Sequence, residues 1–145
     1  MIDVDERALS RLVLRYAQAV DRLDIDAIIA LMTSEATIST HHGDADNEAV
    51  SSMIGHEEIR TGMARLERYV TTFHLVGNQL FEIDGDDATG ETYCTAHHVQ
   101  QRDGVLHDMT MYIRYSDRFA RAEDGWLFAQ RKLCLDFSTD RETGR

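Results

Sequence analysis

Four long strand-like stretches fill the second half of this chain and limit its fold more than any other feature. They read "TTFHLVGNQLFEID", "ATGETYCTAHHVQQ", "LHDMTMYIRYSDRFA" and "GWLFAQRKLCLDFS", rich in β-branched and aromatic residues. Between them lie "DGDD", "RDG" and "AEDG", short clusters that favour tight reversals. Long strands joined by tight turns predict an antiparallel meander from Thr71 onward. In "DMTMYIRY", Met109, Met111, Ile113 and Tyr115 alternate with Thr110, Tyr112 and Arg114, so both faces carry apolar side chains. A sheet with one face in water would alternate more cleanly.

The first half follows a different period. Leu9, Leu12, Val13, Tyr16 and Val20 recur at helical spacing from Asp3 to about Leu23, with Arg11, Arg15, Gln18 and Arg22 opposite. Asp24 is placed to cap a short second helix, "IDAIIALM", followed by a strand-like "ATIST". The segment "HHGDADNEAVSSMIG" shows little period and reads as an irregular surface loop. In "HEEIRTGMARLERYV", the residues Ile59, Met63, Leu66 and Val70 fall on one face of a third helix. Three helices ahead of a long curved sheet define an α+β architecture in which the helices cover one face. The other face is then expected to lie against a second copy, making the protein a homo-oligomer, the alternative being scattered exposed apolar residues on a monomer.

At 145 residues, without proline, repeats or a linker-like stretch, the chain is expected to form one domain over residues 1–145. Its 26 acidic residues outnumber 15 basic ones, giving a formal net charge of −11 that repels phosphate backbones and anionic lipid. Nucleic acid and membrane are therefore not expected partners. The acidic start "MIDVDERALS" and the lack of a long apolar run suggest a cytoplasmic protein. Cys94 and Cys134 are far apart and lack CxxC spacing, which suits small buried residues in a reducing compartment.

His74, flanked by Phe73, Leu75 and Val76, is a titratable group in an apolar strand. An imidazole ordinarily titrates near neutrality, so with a carboxylate partner it can accept a substrate proton. Asp21 lies on the edge of the apolar arc of the first helix, after Leu14 and Ala17, and is placed to turn inward. Tyr16 is near the centre of that arc and brings a hydroxyl that needs a partner when buried. Simple core packing explains Tyr16 and a lone buried histidine equally well.

The stretches "LVLRYAQAVDRLDIDAIIALMTSEATI", "GHEEIR", "TTFHLVGNQLFEIDGDDATGETY" and "DGWLFAQRKL" together resemble the SnoaL-like members of the nuclear transport factor 2-like superfamily. The likeness covers nearly the whole chain and implies a cone-shaped α+β barrel: three N-terminal helices and a strongly curved, mainly antiparallel sheet around one deep pocket. The branch with scytalone dehydratase, hexachlorocyclohexane dehydrochlorinase and bile acid 7α-dehydratase uses a His-Asp dyad. Asp21 in "AVDRLD" and His74 in "TTFHLVGN" resemble its two members, and Tyr16 resembles the tyrosine preceding the aspartate in the bile acid enzyme. Ketosteroid isomerases share that tyrosine but take their proton with an aspartate at the end of the first strand. Here that region reads "TISTHHG", which lacks such a base.

The resemblance thus implies a cofactor-independent lyase, of dehydratase or dehydrochlorinase type, or a related isomerase or cyclase. His74 would be the general base and Asp21 its orienting partner. Tyr16 or Tyr115 would donate to a developing enolate, and Met109, Met111 and Ile113 would hold a small hydrophobic, ring-sized substrate. The same fold also serves non-catalytic binding domains and the small subunits of ring-hydroxylating dioxygenases, so a binding or accessory role is the alternative. No metal or organic cofactor is expected. His41, His42, Asp44 and Asp46, with His97 and His98, are competent zinc ligands by type, but adjacent strand residues point to opposite faces. One of His97 and His98 should therefore face the pocket. Arg114 and Arg118 are expected to pair with acidic residues at a rim.

Overall fold

The computed structural model describes residues 3–145. Helix α1, Val4–Asp21, starts where Asp3 accepts the Asp5 amide at 2.8 Å, and it buries Leu9, Leu12, Val13, Tyr16 and Val20 as its period requires. Asp24 caps α2, Ile25–Ala30, by accepting the Ala27 amide at 3.1 Å. Strand β1 spans Met32–His42 and β2 spans Ala49–Ile54. Helix α3, Gly55–Ala64, runs into a 3-10 turn at Arg65–Arg68. Strands β3, Thr71–Asp84, β4, Asp87–Arg102, β5, Val105–Ala122, and β6, Gly125–Glu142, complete the chain.

These six strands form one sheet in the order β2-β1-β6-β5-β4-β3. The meander from β3 to β6 is antiparallel throughout, and β1 joins it parallel to β6 while pairing antiparallel with β2. The β4–β5 turn is tight because Asp103 and Gly104 both adopt positive φ, 51° and 79°, as a mirror-image hairpin turn demands. Bulges interrupt the long strands at Val76/Gln79, Tyr112/Ile113 and Arg118/Phe119, and each bends and twists the ladder locally. The sheet curves around the helices without closing, leaving β2 and β3 as edges. The fold is the expected α+β class, three helices on a curved, mainly antiparallel sheet.

Two local expectations need correction. The segment expected to be an irregular loop contains β2, an exposed edge strand in which only Met53 is partly buried, too little to leave a period. The third helix stops short of Val70, which is 42% exposed rather than on the buried face. Its amide donates to the Val99 carbonyl at 2.7 Å, so pairing with β4 has already captured the chain there.

The main core lies between the helices and the concave face, where Leu9, Val13, Ile28, Ile59, Phe119 and Phe128 are almost fully buried. A second, smaller cluster joins Cys94, Ala96, Ile113 and Tyr115 with half-buried Met111 and Leu133, and no helix residue belongs to it. Among the described residues, no helix is long and apolar enough to cross a membrane.

Candidate active site

The last turn of α1 crosses the start of β3, the edge strand of the sheet. An edge amide has no ladder partner, and Asp21 supplies one: its Oδ2 accepts the His74 backbone N–H at 2.9 Å. Its other oxygen accepts the His74 Nδ1–H at 2.6 Å and the Thr72 hydroxyl at 3.0 Å. One carboxylate therefore fixes both the backbone and the ring of the same histidine. With Nδ1 as donor, the lone pair lies on Nε2. The His74 side chain is 6% exposed, and that of Asp21 25%. Burial pushes the Asp21 carboxyl up, but the bonds from His74 and Thr72 outweigh it and hold the group below its ordinary range.

Register places the remaining candidates. His74 pairs with Ala96 and Ala96 with Met111, so the three occupy one row and share a face. The next rows add His98 with Met109 and Cys94 with Ile113, and the row beyond adds Thr92 with Tyr115. Ala96 and Cys94, both buried, lie between His74 and the β5 residues. Met109, Met111, Ile113 and Tyr115 thus line one face, as their alternation requires, with Ile113 and Tyr115 buried and the methionines half-buried.

Of the two adjacent histidines, His98 is the inner one. Its ring centroid is 6.0 Å from that of His74 and 5.1 Å from that of Tyr69. Its Nδ1–H donates to the Met109 carbonyl at 3.1 Å, leaving Nε2 as an acceptor. Burial lowers its proton affinity below the ordinary imidazole range, and the neighbouring His74 adds to the effect. His97 faces outward, with Nδ1 2.8 Å from Asp108.

Sequence reasoning missed the buried ion pair behind Tyr16. Arg131, on β6, bonds Asp117, on β5, through two parallel contacts of 2.9 and 3.1 Å. Its guanidinium carbon lies 3.6 Å from the Tyr115 ring centroid and 4.4 Å from that of Tyr16. Burial raises the Asp117 carboxyl against the pull of Arg131, and the two-point bond to the guanidinium favours its carboxylate form. Burial likewise pushes Tyr16 up to about 12, so its hydroxyl stays protonated. The signal available in the sequence was the same one that marked His74, a charged residue inside the apolar stretch "LFAQRKLCLDF".

The other histidine cluster is occupied by internal bonds. His41 donates from Nδ1 to the Asn47 carbonyl and accepts the Ser39 hydroxyl at Nε2, both at 2.8 Å. Among the described residues, no three His, Cys, Asp or Glu side chains are grouped to hold a metal ion. Arg114 pairs with Asp136 at 2.9 Å on the outer face, while Arg118 makes no ion pair with a described residue.

An open six-stranded sheet wrapped on three helices is the cone-like α+β fold of the nuclear transport factor 2-like proteins. The chain belongs to the SnoaL-like domain family, whose model matches residues 4–132. No curated protein matches it significantly. Solved structures share the fold at low identity. A candidate aromatic ring hydroxylase from Novosphingobium aromaticivorans has a TM-score of 0.80 at 24% identity, with 99% of this chain and 96% of that one covered. A candidate scytalone dehydratase from the same organism has a TM-score of 0.78 at 19% identity, covering 97% and 90%. A hexachlorocyclohexane dehydrochlorinase of type 2 has a TM-score of 0.77 at 16% identity, covering 96% and 89%.

Proposed function

We propose that this protein is a cofactor-independent lyase of dehydratase or dehydrochlorinase type, or a related isomerase or cyclase, acting on a small hydrophobic cyclic substrate. The observation that carries the reading is the 2.6 Å bond between His74 and Asp21, which leaves an acceptor nitrogen on a buried imidazole. The family and the names of its structural relatives point the same way.

In this reading His74 Nε2 removes a proton from carbon beside a carbonyl or other acidifying group. The electron pair of that C–H bond becomes the new C=C bond as a hydroxyl or halide leaves the adjacent carbon with its own bonding pair. Asp21 stabilises the imidazolium formed and holds its tautomer. A protonated hydroxyl of Tyr16 or Tyr115 donates to charge developing on the carbonyl oxygen. Met109, Met111 and Ile113 supply the apolar surface against which a ring would rest. Departing hydroxide takes up a proton, and His74 returns its own to water.

The test uses α-proton exchange, which needs no knowledge of the leaving group. A panel of cyclic ketones in D2O should show deuterium uptake at the α-carbon with the wild-type protein, reduced about 10²-fold or more in His74→Gln. Binding without exchange by any member of the panel would favour the second reading, a non-catalytic binding or accessory subunit. That reading draws on the tight packing of Tyr16 and Tyr115, 4% and 3% exposed.

The outer face of the sheet is proposed to be covered by further copies of this chain. Phe73, Leu75 and Phe137 stand there about 60% exposed, at 60%, 61% and 58%. Phe137 stacks on Tyr112 at 4.3 Å, making a flat aromatic surface suited to self-association.

A further inference from the structure

Outside the dyad, α1 and the edge strand β3 leave a groove of about 670 Å³, within the range of small-molecule sites. Arg7, Arg11 and Arg15 form one wall. At four-residue spacing they stand about 6 Å apart along the helix. None of the three makes an ion pair with a described residue, whereas Arg60, Arg102, Arg114, Arg121 and Arg131 each find a carboxylate. Other arginines, Arg118 among them, also lack an ion pair with a described residue, and what sets these three apart is their regular spacing along one wall of a groove. Glu6 is the one acidic side chain in the lining.

The floor is chemically distinct from the wall. Gln79, turned by the bulge after Val76, accepts the Ser10 hydroxyl at 2.7 Å on its oxygen. In this orientation the amide nitrogen is buried with no acceptor among the described residues. A buried amide donor without a partner costs about 1–3 kcal/mol until something accepts from it. Leu14, 51% exposed, and Phe81 add an apolar strip beside it. We propose that this groove binds an elongated organic anion, its carboxylate or phosphate held between the arginine row and the Gln79 amide, its apolar body along Leu14 and Phe81. Guanidinium groups bond such oxygens in pairs, which favours an oxyanion over a halide. The site is independent of the lyase reading, although Leu14 and Gln18 also border a recess of about 360 Å³ beside Asp21 and His74.

Decyl phosphate, n-decanol and inorganic phosphate are the probes, titrated calorimetrically into the full chain at low ionic strength and below micelle formation. Decyl phosphate is expected to bind at least tenfold more tightly than either fragment-like control. The Arg11→Gln/Arg15→Gln pair should weaken it tenfold or more, and Gln79→Leu several-fold. Arg60→Gln, an exposed arginine elsewhere, should leave binding unchanged. Both arginines are exposed, so equal melting temperatures would show that the variants fold. Equal binding of decanol, no loss in the arginine pair, or binding only to anionic phosphatidylglycerol vesicles would each overturn the proposal.

Discussion

Asp21 does three jobs with two oxygens, and its substitution separates them. Asp21→Asn keeps the size of the side chain but can no longer accept from Thr72, the His74 amide and the His74 ring at full strength. The expected cost is about 1–3 kcal/mol of stability, measured by urea denaturation. The pH dependence has a definite sign. Because the folded carboxyl is held below its ordinary value of 3.8, its stabilisation is present above that value and is lost as pH falls through the lower folded one. The variant should therefore lose stability less steeply than the wild type below pH 4. Nitrogen NMR of the His74 ring at neutral pH should show the proton on Nδ1 in the wild type, a preference expected to vanish in Asp21→Asn. The buried Arg131–Asp117 pair makes a second prediction. Asp117→Asn strands a guanidinium in the core and should cost about 3–5 kcal/mol, while the joint change Asp117→Leu/Arg131→Met should recover most of that loss. His74 and Asp21 were legible in the sequence because an imidazole in an apolar strand is conspicuous and a helical period fixes which way an aspartate turns. Thr72 gave no such signal, and Arg131, set between the polar Gln130 and Lys132, does not stand out as a single buried charge.

At the scale of elements, the legibility follows how much each segment buries. Helix α1 and the meander announced themselves because their apolar residues repeat at 3.6 and 2 positions over long stretches. Strand β2 buries almost nothing and was invisible. The end of α3 was misjudged because the period ran on through Val70, while the amide of that residue was already committed to Val99. Which of His97 and His98 turns inward depended on register, which no local pattern encodes; pairing of His98 with Thr72 decides it. Close strand contact is also where a single atom matters most. A Cβ on Gly90 would stand 2.6 Å from Phe81 and 3.2 Å from Phe119, two rings that pack edge to face. Gly90→Ala should therefore destabilise the fold by about 1–3 kcal/mol in thermal denaturation, and adding Phe81→Leu should return part of it.

For the whole molecule, the decisive question is what the convex side of the sheet faces. The helices shield only the concave side, so the apolar residues of β3, β4 and β6 that point outward have no cover within the chain. On that side Leu75, Tyr93 and Phe137 border a shallow groove of about 460 Å³ together with Tyr112, and Phe73 is exposed on the same face. Leaving two or three such side chains in water forfeits about 1.5–3 kcal/mol each relative to full burial, enough to drive association when several act together. Light scattering is expected to give a mass that is a multiple of the 16.5 kDa chain at micromolar concentration. The pair Phe73→Ser/Phe137→Ser removes exposed rings and no core contact, so it should shift the population to the single chain while leaving the melting temperature of the monomer intact. A wild-type mass of one chain across that concentration range would show that the convex face is left to solvent, and self-association would then play no part in how this fold buries its apolar surface.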